Sequence, residues 1–236
     1  KAFGGEFYEV IIGGAAFNTE VEAFFKKMGF PFTVGYGMTE CAPIITYDDW
    51  KEEKLYSCGK AAPNMQIKIN SKDQENVPGE ILVKGDNVFL GYYKNEEATA
   101  EVFTEDGWFR TGDMGIIDAD GSLFIKGRAK CMILGPSGQN IYPEEVETVI
   151  NSQPYVVDSL VVEDDGGLTA IIYPDFPQGA KEGMSQREFA KFIEGMLPEL
   201  NKVLPNYARL KKVRVLTEDF ERTPKKSIKR YLYQRN

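Results

Sequence analysis

Residues 107–147 contain the side chains whose types and spacing point most directly to chemistry. Asp113 follows a glycine at the end of an aromatic segment, in Arg110-Thr111-Gly112-Asp113. An exposed carboxylate, fixed there by the backbone, could accept two hydrogen bonds at once, as the diol of a ribose would offer. Thr-Gly-Asp alone is a weak signal, because Gly-Asp pairs mostly form ordinary turns. The stretch predicts a loop ending at Asp113, a hairpin that turns at Asp120-Gly121 and a helix that begins with Pro143.

Two glycine-containing segments are further candidates. Gly35-Tyr36-Gly37-Met38-Thr39-Glu40 presents an aromatic face, a hydroxyl and a carboxylate in succession, which could serve a base, a phosphate and a metal ion. Gly13-Gly14-Ala15 ends a predicted strand, and its bare backbone could approach a flat ligand closely. The plain alternative is a pair of glycine-rich connections, one of them with a packed tyrosine, and without further context that alternative outweighs the ligand interpretation.

The composition removes several classes of site from consideration. The 236 residues include no histidine, so they cannot supply a His-based triad or a His-ligated metal site. Cys41, Cys58 and Cys131 are widely spaced and lack a CxxC pair, which favours buried thiols and suggests a reducing, cytoplasmic setting. The formal net charge of −8 disfavours non-specific binding to nucleic acid. No apolar run approaches the roughly 20 residues of a membrane span, and peripheral membrane contact stays open.

The hydrophobic pattern predicts three successive kinds of structure. The first 34 residues read as strand, helix and strand, with the helix beginning near Asn18 and ending at Gly29, and such a unit usually has parallel strands. Alternating runs between 59 and 126 predict an antiparallel sheet or small barrel. Residues after 130 follow a compact α+β pattern. The predicted fold class is therefore α/β and α+β: the end of a parallel α/β subdomain, a small antiparallel β-barrel-like subdomain, and a compact α+β C-terminal domain.

The individual elements follow from the same pattern. The predicted strands are 7–12, 32–34, 65–69, 80–83, 88–90, 115–118, 123–126, 156–163, 168–173 and 212–216, and the predicted helices beyond the first are 95–102, 144–150 and 186–197.

The end of the chain is basic although the whole is acidic. The run 222–230 carries five cations and one proline, as Arg-Thr-Pro-Lys-Lys-Ser-Ile-Lys-Arg. A charge run is usually a solvated face or tail. A cationic loop could also close over a polyphosphate, so both interpretations stay open.

In their order along the chain, these motifs resemble those of the adenylate-forming superfamily of acyl-CoA synthetases, luciferases and peptide-synthetase adenylation domains. One such motif would be a weak signal, but five in the same order make a chance match negligible, and the resemblance covers essentially the whole chain. The five are Gly13-Gly14-Ala15, Tyr36-Gly37-Met38-Thr39-Glu40, Gly79-Glu80, Arg110-Thr111-Gly112-Asp113 and Gly127-Arg128-Ala129-Lys130.

The resemblance implies a reaction and a set of roles. These enzymes activate a carboxylic acid with ATP as an acyl-adenylate and then transfer the acyl group to a thiol, so ATP, Mg²⁺ and coenzyme A are expected. Gly13-Gly14-Ala15 would line the nucleotide site, and so would Gly37. The individual roles that the resemblance implies are Tyr36 against the adenine, Thr39 as a catalytic hydrogen-bond donor to phosphate, Glu40 on the magnesium ion, Asp113 on the ribose hydroxyls, Arg128 beside the ribose or phosphate, and Gly138 in the loop on the coenzyme A side.

The resemblance also implies a domain division. Residues 1–128 would be the carboxyl-terminal part of the large AMP-binding domain, with an α/β segment 1–58 and a β-rich subdomain 59–128. Residues 129–236 would be the C-terminal lid domain, and Lys130 would be the hinge about which that domain rotates between the two half-reactions.

Two features refine the prediction. The run 137–145 and the segment Gly91-Tyr92-Tyr93-Lys94-Asn95 look more like long-chain fatty acyl-CoA synthetases than like peptide-synthetase domains. The family's phosphate loop is absent from these 236 residues, so the sequence resembles the carboxyl-terminal portion of a longer enzyme. In the tail, Ser227 stands where the family has its catalytic lysine. Lys226 or Lys229 could substitute.

The predicted function is therefore ATP-dependent activation of a fatty acid and its transfer to coenzyme A. Two alternatives share the motifs. One is a ligase that loads an acyl carrier protein, and the other is a non-catalytic nucleotide-binding protein of the same fold.

Overall fold

The structure, a computed structural model, describes residues 4–135, 138–224 and 226–234. The chain separates into two compact units, Lys1–Lys130 and Cys131–Asn236. No helix in the described stretches is long and apolar enough to cross a membrane.

The described residues of the first unit, 4–130, form nine strands in three small sheets and two helices. Its elements in chain order are β1 Val10–Ile12, α1 Thr19–Lys27, β2 Phe32–Val34, β3 Tyr36–Gly37, β4 Ile44–Tyr47, β5 Lys60–Ala61, β6 Met65–Asn70, β7 Gly79–Gly85, α2 Glu96–Val102, β8 Phe109–Ile117 and β9 Leu123–Arg128. A short 3-10 turn, Thr39–Cys41, lies between β3 and β4, and another, Ala129–Cys131, follows β9.

The strand-helix-strand unit forms as predicted. The side chain of Asn18 accepts hydrogen bonds from two backbone N–H groups of the first turn of α1, which starts the helix at the next residue. Strands β1 and β2 pair in parallel, from Val10 with Phe32 to Ile12 with Val34. Because parallel strands end at the same edge of a sheet, the two glycine-containing segments that follow them begin side by side.

The β-rich part of this unit is an open antiparallel sheet of four strands in the order β6-β7-β8-β9, and it does not close into a barrel. Its inner face contributes Ile81, Val83, Phe109 and Leu123 to a buried core. The segment predicted as a loop ending at Asp113 lies inside β8 instead. Pairing of β8 with both neighbouring strands overrides the turn signal of Thr-Gly-Asp.

Residues 88–90, which were predicted as a strand, are not one in the structure. The N–H of Phe89 donates to the carbonyl of Glu40 at 2.8 Å, Leu90 is fully exposed, and the run joins no strand ladder.

The second unit begins with a short hairpin and builds one layer of helices on a sheet. Its elements are β10 Ile133–Leu134, β11 Asn140–Ile141, α3 Pro143–Asn151, β12 Val156–Asp164, β13 Gly167–Pro174, α4 Phe176–Lys181, α5 Gln186–Glu194, α6 Leu197–Val203 and β14 Leu210–Val215. Strands β12 and β13 are antiparallel, whereas β13 and β14 are parallel.

Both faces of the β12-β13-β14 sheet are covered. Helices α3, α5 and α6 pack on one face through Ile150, Ile193 and Leu200. The chain after β14 covers the other face with Phe220 and, half-buried, with Ile228 and Tyr233. The tail therefore belongs to the folded core of this unit.

The predicted fold class, α/β and α+β, is confirmed by this arrangement, and the differences lie in single elements. The helix predicted over 186–197 ends at Glu194, and α6 begins after a break at Gly195. Helices α4 and α6 were not predicted as separate elements. Each is only six or seven residues long, too short to show a clear helical period.

Candidate functional site

Tyr36 and Asp113, 77 residues apart in sequence, meet in the first unit. The Tyr36 hydroxyl donates a hydrogen bond to Asp113 Oδ2 at 2.7 Å. Asp113 Oδ1 lies 3.2 Å from Arg128 Nε. Asp113 is only 7% exposed and Tyr36 is 8% exposed. Three of the predicted nucleotide-binding side chains are thus brought together, although the sequence predicted an exposed Asp113.

Local backbone geometry explains this meeting. Asp113 and Arg128 are directly paired residues on the adjacent strands β8 and β9. Gly112 has φ +72°, a left-handed value that glycine adopts without strain, and it precedes the carboxylate within β8. Gly37 lies against β4 so closely that an added Cβ would be 2.0 Å from the carbonyl oxygen of Pro43. Glycine is therefore required beside Tyr36.

Burial and charge both act on the Tyr36 hydroxyl. Burial raises the pKa of Tyr36 well above its usual value, and the neighbouring Asp113 carboxylate raises it further. The phenol therefore stays protonated and can act only as a hydrogen-bond donor to Asp113. The exposed Arg128 guanidinium supplies positive charge on the other side of the same carboxylate.

The segment Gly13-Gly14-Ala15 is exposed where β1 ends. The Gly35 N–H donates to Ile12 O at 2.8 Å, which fastens the two segments together. A Cβ on Gly13 would stand 3.1 Å from the Gly35 carbonyl oxygen, so the two backbones approach closely there. These predicted nucleotide-binding residues thus form one edge with the beginning of Tyr36-Gly37.

Thr39 and Glu40 lie in the 3-10 turn directly after β3. Thr39 is exposed, and Glu40 is partly exposed. The Tyr92 hydroxyl donates to Glu40 Oε1 at 3.1 Å, a contact between residues 52 apart that no local sequence signal predicts. Asn87 Nδ2 donates to the carbonyls of Cys41 and Ile44, which clamps the same turn from the chain after β7.

The donor set at this turn fits a hard cation that is shared with a phosphate-bearing substrate. Among the described residues there is no cluster of three or more His, Cys, Asp or Glu that could hold a metal ion by itself. Mg²⁺ is usually held by one or two carboxylates together with substrate phosphates. The single carboxylate of Glu40, next to the Thr39 hydroxyl, would therefore need phosphate oxygens to complete the ligand set of such an ion.

In the second unit, the two tail lysines differ in their surroundings. Lys229 Nζ is bonded to Glu221 Oε2 at 3.1 Å. Lys226 is exposed at the tip of a tight turn with φ +63°, and in the described parts of the chain it makes no ion pair. Lys225 lies outside the described residues.

The remaining predicted positions lie where the chain changes direction. Lys130 is exposed in the turn Ala129–Cys131, where the first unit ends and the second begins. Gly138 has φ +78° in the loop between β10 and β11, and its N–H donates to Gly135 O at 2.9 Å. Ser137, in the same predicted loop, lies outside the described residues.

Comparison with known proteins matches both units to AMP-binding enzymes. The profile of the AMP-binding enzyme family matches residues 2–93, and that of the AMP-binding enzyme C-terminal domain matches residues 132–236. A long-chain-fatty-acid–CoA ligase (FadD15) of Mycobacterium bovis is 31% identical over 97% of this chain and 40% of its own length. A 2-methylpropanoate–CoA ligase (CCL4) of Humulus lupulus is 30% identical over 80% of this chain and 38% of its own length.

A solved structure aligns over both units. O-succinylbenzoate coenzyme A synthetase (MenE) of Bacillus subtilis, in complex with ATP and a magnesium ion, aligns with a TM-score of 0.79 and 30% identity over 96% of this chain and 47% of that chain. The chain belongs to the adenylate-forming acyl-CoA ligase family. The resemblance inferred from the five motifs is thereby confirmed. The chain spans about 40% of the length of its long-chain-fatty-acid–CoA ligase relative, FadD15.

The acids named for these three relatives differ. One name specifies a long-chain fatty acid, another 2-methylpropanoate and the third o-succinylbenzoate. Family membership therefore leaves both the activity of the whole protein and the identity of its acid to be proposed.

Proposed function

We propose that the protein containing this chain activates a fatty acid with ATP, in the presence of Mg²⁺, to an acyl-adenylate and transfers the acyl group to coenzyme A. The observation that carries the proposal is the assembled set of Tyr36, Asp113 and Arg128, in which the hydroxyl and the guanidinium both contact the carboxylate. A carboxylate held in place before a ligand arrives loses less entropy on binding. Long-chain fatty acid is the preferred substrate class because of the FadD15 relative.

Each side chain has a role in this proposal. The ring of Tyr36 lies against the adenine, Asp113 receives the ribose hydroxyls, and Arg128 adds positive charge beside the ribose or phosphate. Gly13, Gly14 and Ala15 leave room for the nucleotide to approach the backbone.

Thr39 and Glu40 act at the phosphates. The Thr39 hydroxyl donates a hydrogen bond to phosphate, and the Glu40 carboxylate contributes an oxygen ligand to Mg²⁺. The metal ion supplies charge neutralisation for the polyphosphate. Tyr92 keeps the Glu40 carboxylate oriented while it does so.

In the second unit, Lys226 is the proposed adenylation lysine. Lys229 is the weaker candidate because Glu221 already neutralises it. A cation on an exposed turn can approach the carboxylate and α-phosphate, where charge develops in the first half-reaction. Residues 129–236 are proposed to act as the lid, with Lys130 as hinge and the Gly138 loop on the coenzyme A side.

The decisive experiment is acid-dependent exchange of pyrophosphate into ATP by the full-length protein, with acids of different chain lengths. Exchange that depends on a long-chain fatty acid supports the proposal. Absence of exchange with every acid tested would favour the non-catalytic alternative. Acceptor assays with coenzyme A and with acyl carrier protein then separate the two ligase alternatives.

The isolated 236-residue chain is proposed to be inactive, since phosphoryl chemistry depends on positioned phosphate contacts and the family's phosphate loop is not among these residues. Acyl-adenylate formation by this chain alone would contradict that. The cytoplasmic location predicted from the cysteine pattern stays a prediction.

A further inference from the structure

Strand β8 contains a bulge in the segment that carries Asp113. Strand β7 pairs with β8 at Arg110 and again at Met114. Only Ile81 lies between the two corresponding positions of β7, whereas β8 has the three residues 111–113 there. Extra residues of this kind bend a strand and change the direction of a side chain, and they are common beside active sites. The bulge therefore sets where the Asp113 carboxylate lies.

The hydroxyl of Thr111 makes hydrogen bonds within this bulge. It donates to the carbonyl oxygen of Ile81 at 2.9 Å, across the strand pair, and it accepts the N–H of Asp113 at 3.1 Å. A threonine hydroxyl has one donor and two acceptor sites, so one side chain can do both. Burial and the Asp113 carboxylate raise the pKa of Tyr36, and a hydrogen bond with the Thr111 hydroxyl opposes that rise. Thr111 is therefore bonded to both residues of the Tyr36–Asp113 pair.

An ion pair also spans the bulge. It joins Arg110, just before the bulge, to Glu80, which pairs with the residue just after it. Arg110 Nε and Nη2 lie 3.0 Å and 2.7 Å from the same oxygen, Oε2, of Glu80. The arginine side chain is 49% exposed, and exposed ion pairs contribute little to stability. The position of Asp113 should therefore depend mainly on the partly buried Thr111 hydroxyl.

We infer that Thr111 is a positioning residue, whose hydroxyl holds the bulge of β8 so that the Asp113 carboxylate is kept in the geometry that receives the ribose. The inference rests on the proposed function. Thr111 acts through Asp113 and not on the nucleotide itself. A change at Thr111 should therefore alter how well the protein recognises the two ribose hydroxyls.

The expected effect follows from what the Thr111 hydroxyl satisfies. Without it, the Ile81 carbonyl and the Asp113 N–H each lose a hydrogen bond, and polar groups left without partners favour a rearrangement of the bulge. Binding groups must be held within about 0.5 Å of the productive geometry. Hydrogen bonds from the ribose to a displaced carboxylate would thus be lost or weakened.

The test compares ATP with 2′,3′-dideoxy-ATP as substrates of the full-length protein. In the parent, the apparent KM for the dideoxy nucleotide should be roughly tenfold or more above that for ATP, because hydrogen bonds to a carboxylate are charge-assisted. Thr111→Val keeps the shape of the side chain and removes the hydroxyl. We expect the ratio of the two KM values to fall to about threefold or less in this variant, through a higher KM for ATP.

Two further readouts distinguish positioning from a general defect. The KM for the fatty acid should stay within about twofold of the parental value in Thr111→Val, since the bulge serves the nucleotide. Thr111→Ser keeps a hydroxyl and should retain most of the parental KM ratio. If Thr111→Val does not fold, Thr111→Cys takes its place with the same expected fall in the ratio, because a thiol is only a weak hydrogen-bond partner.

Thr104→Val is the matched control. The Thr104 hydroxyl also accepts a backbone N–H, that of Trp108 at 2.9 Å, and it donates to Asp106 Oδ1 at 2.7 Å. It lies in the connection between α2 and β8, outside the bulge. The same chemical change at this position should therefore leave the parental ratio of KM values intact.

Hydrogen exchange of the Asp113 amide reports on the bulge without depending on activity. In Thr111→Val this N–H loses its acceptor, so its exchange should accelerate by roughly tenfold or more. Exchange in β12 and β13 of the second unit should stay as in the parent. Thr111→Ser should exchange at Asp113 as the parent does.

The outcomes separate the positioning role from the function on which it rests. Equal KM values for the two nucleotides in the parent would mean that the ribose assignment of the proposed function fails. A parental preference for ATP that Thr111→Val keeps in full would overturn only the positioning role. Lower activity with an unchanged KM ratio would also overturn it, since Thr111 would then be merely structural. Unchanged exchange of the Asp113 amide in Thr111→Val would overturn it whatever the activity.

Discussion

The Asp113 carboxylate is held by a hydroxyl on one side and a guanidinium on the other before any ligand is present. If it receives the ribose, Asp113→Ala in the full-length protein should weaken the apparent affinity for ATP more than that for the acid. Charge-assisted hydrogen bonds contribute on the order of 1.5–3 kcal/mol each. Asp120→Ala, an exposed carboxylate in the β8–β9 turn, is the matched control. An unchanged affinity for ATP in the Asp113 variant would remove the ribose assignment.

At Glu40, the proposed magnesium ligand, substitutions can separate the effect of the carboxylate's charge from that of its orientation by Tyr92. Glu40→Gln keeps an oxygen ligand but loses the charge that attracts a hard cation, so half-maximal activity should require several-fold more Mg²⁺. Tyr92→Phe keeps the carboxylate and removes only the hydroxyl that orients it, so its effect should be smaller and in the same direction. Glu97→Gln, on the exposed helix α2, should titrate with Mg²⁺ as the parent does. A Glu40 variant that behaves like this control would contradict the assignment.

On the scale of elements, helix α3 carries a buried titratable group at the edge of β12. Burial raises the pKa of Glu147 to about 7, although Arg230 and the Val161 N–H partly oppose the shift. The folded chain therefore binds a proton that the unfolded chain releases between about pH 4.5 and 7. The resulting stability is present at low pH and is lost as the pH rises through about 7.

Glu147→Gln should abolish this dependence. Between pH 5 and 8 the parent chain should lose roughly 1–3 kcal/mol of unfolding free energy more than the variant does. Urea unfolding followed by far-UV circular dichroism measures the difference. Both tryptophans, Trp50 and Trp108, lie in the first unit, so their fluorescence provides an internal control. Parallel pH profiles for parent and variant would show that Glu147 does not titrate in this range.

An element can be predicted from the sequence when the contacts that form it lie within a few residues of one another. Asn18 and Pro143 start helices through contacts within a few residues, so both helix starts were predicted correctly. The segment ending at Asp113 was predicted as a loop and is a strand, because its partners come from distant parts of the chain. The hydrogen bonds of Tyr36 with Asp113 and of Arg230 with Glu147 span 77 and 83 residues, and nothing local in the sequence indicates them.

On the scale of the whole molecule, the two units are joined through the short turn Ala129–Cys131. Lys130 is the residue about which we propose that the second unit rotates between the half-reactions. That residue is exposed, so a substitution there leaves both cores intact. The connection is therefore a place where motion can be tested without disturbing either core.

Lys130→Pro is the corresponding variant of the full-length protein. Proline fixes φ near −65°, which is compatible with a 3-10 turn and incompatible with a large rotation at this residue. We therefore expect adenylation to stay near the parental rate, whereas thioester formation falls by about a hundredfold or more, because the second half-reaction needs the conformational change. Lys130→Ala removes the same side chain and keeps φ free, so it should retain both half-reactions. If the proline variant forms thioester as fast as the alanine variant does, the rotation takes place at another residue.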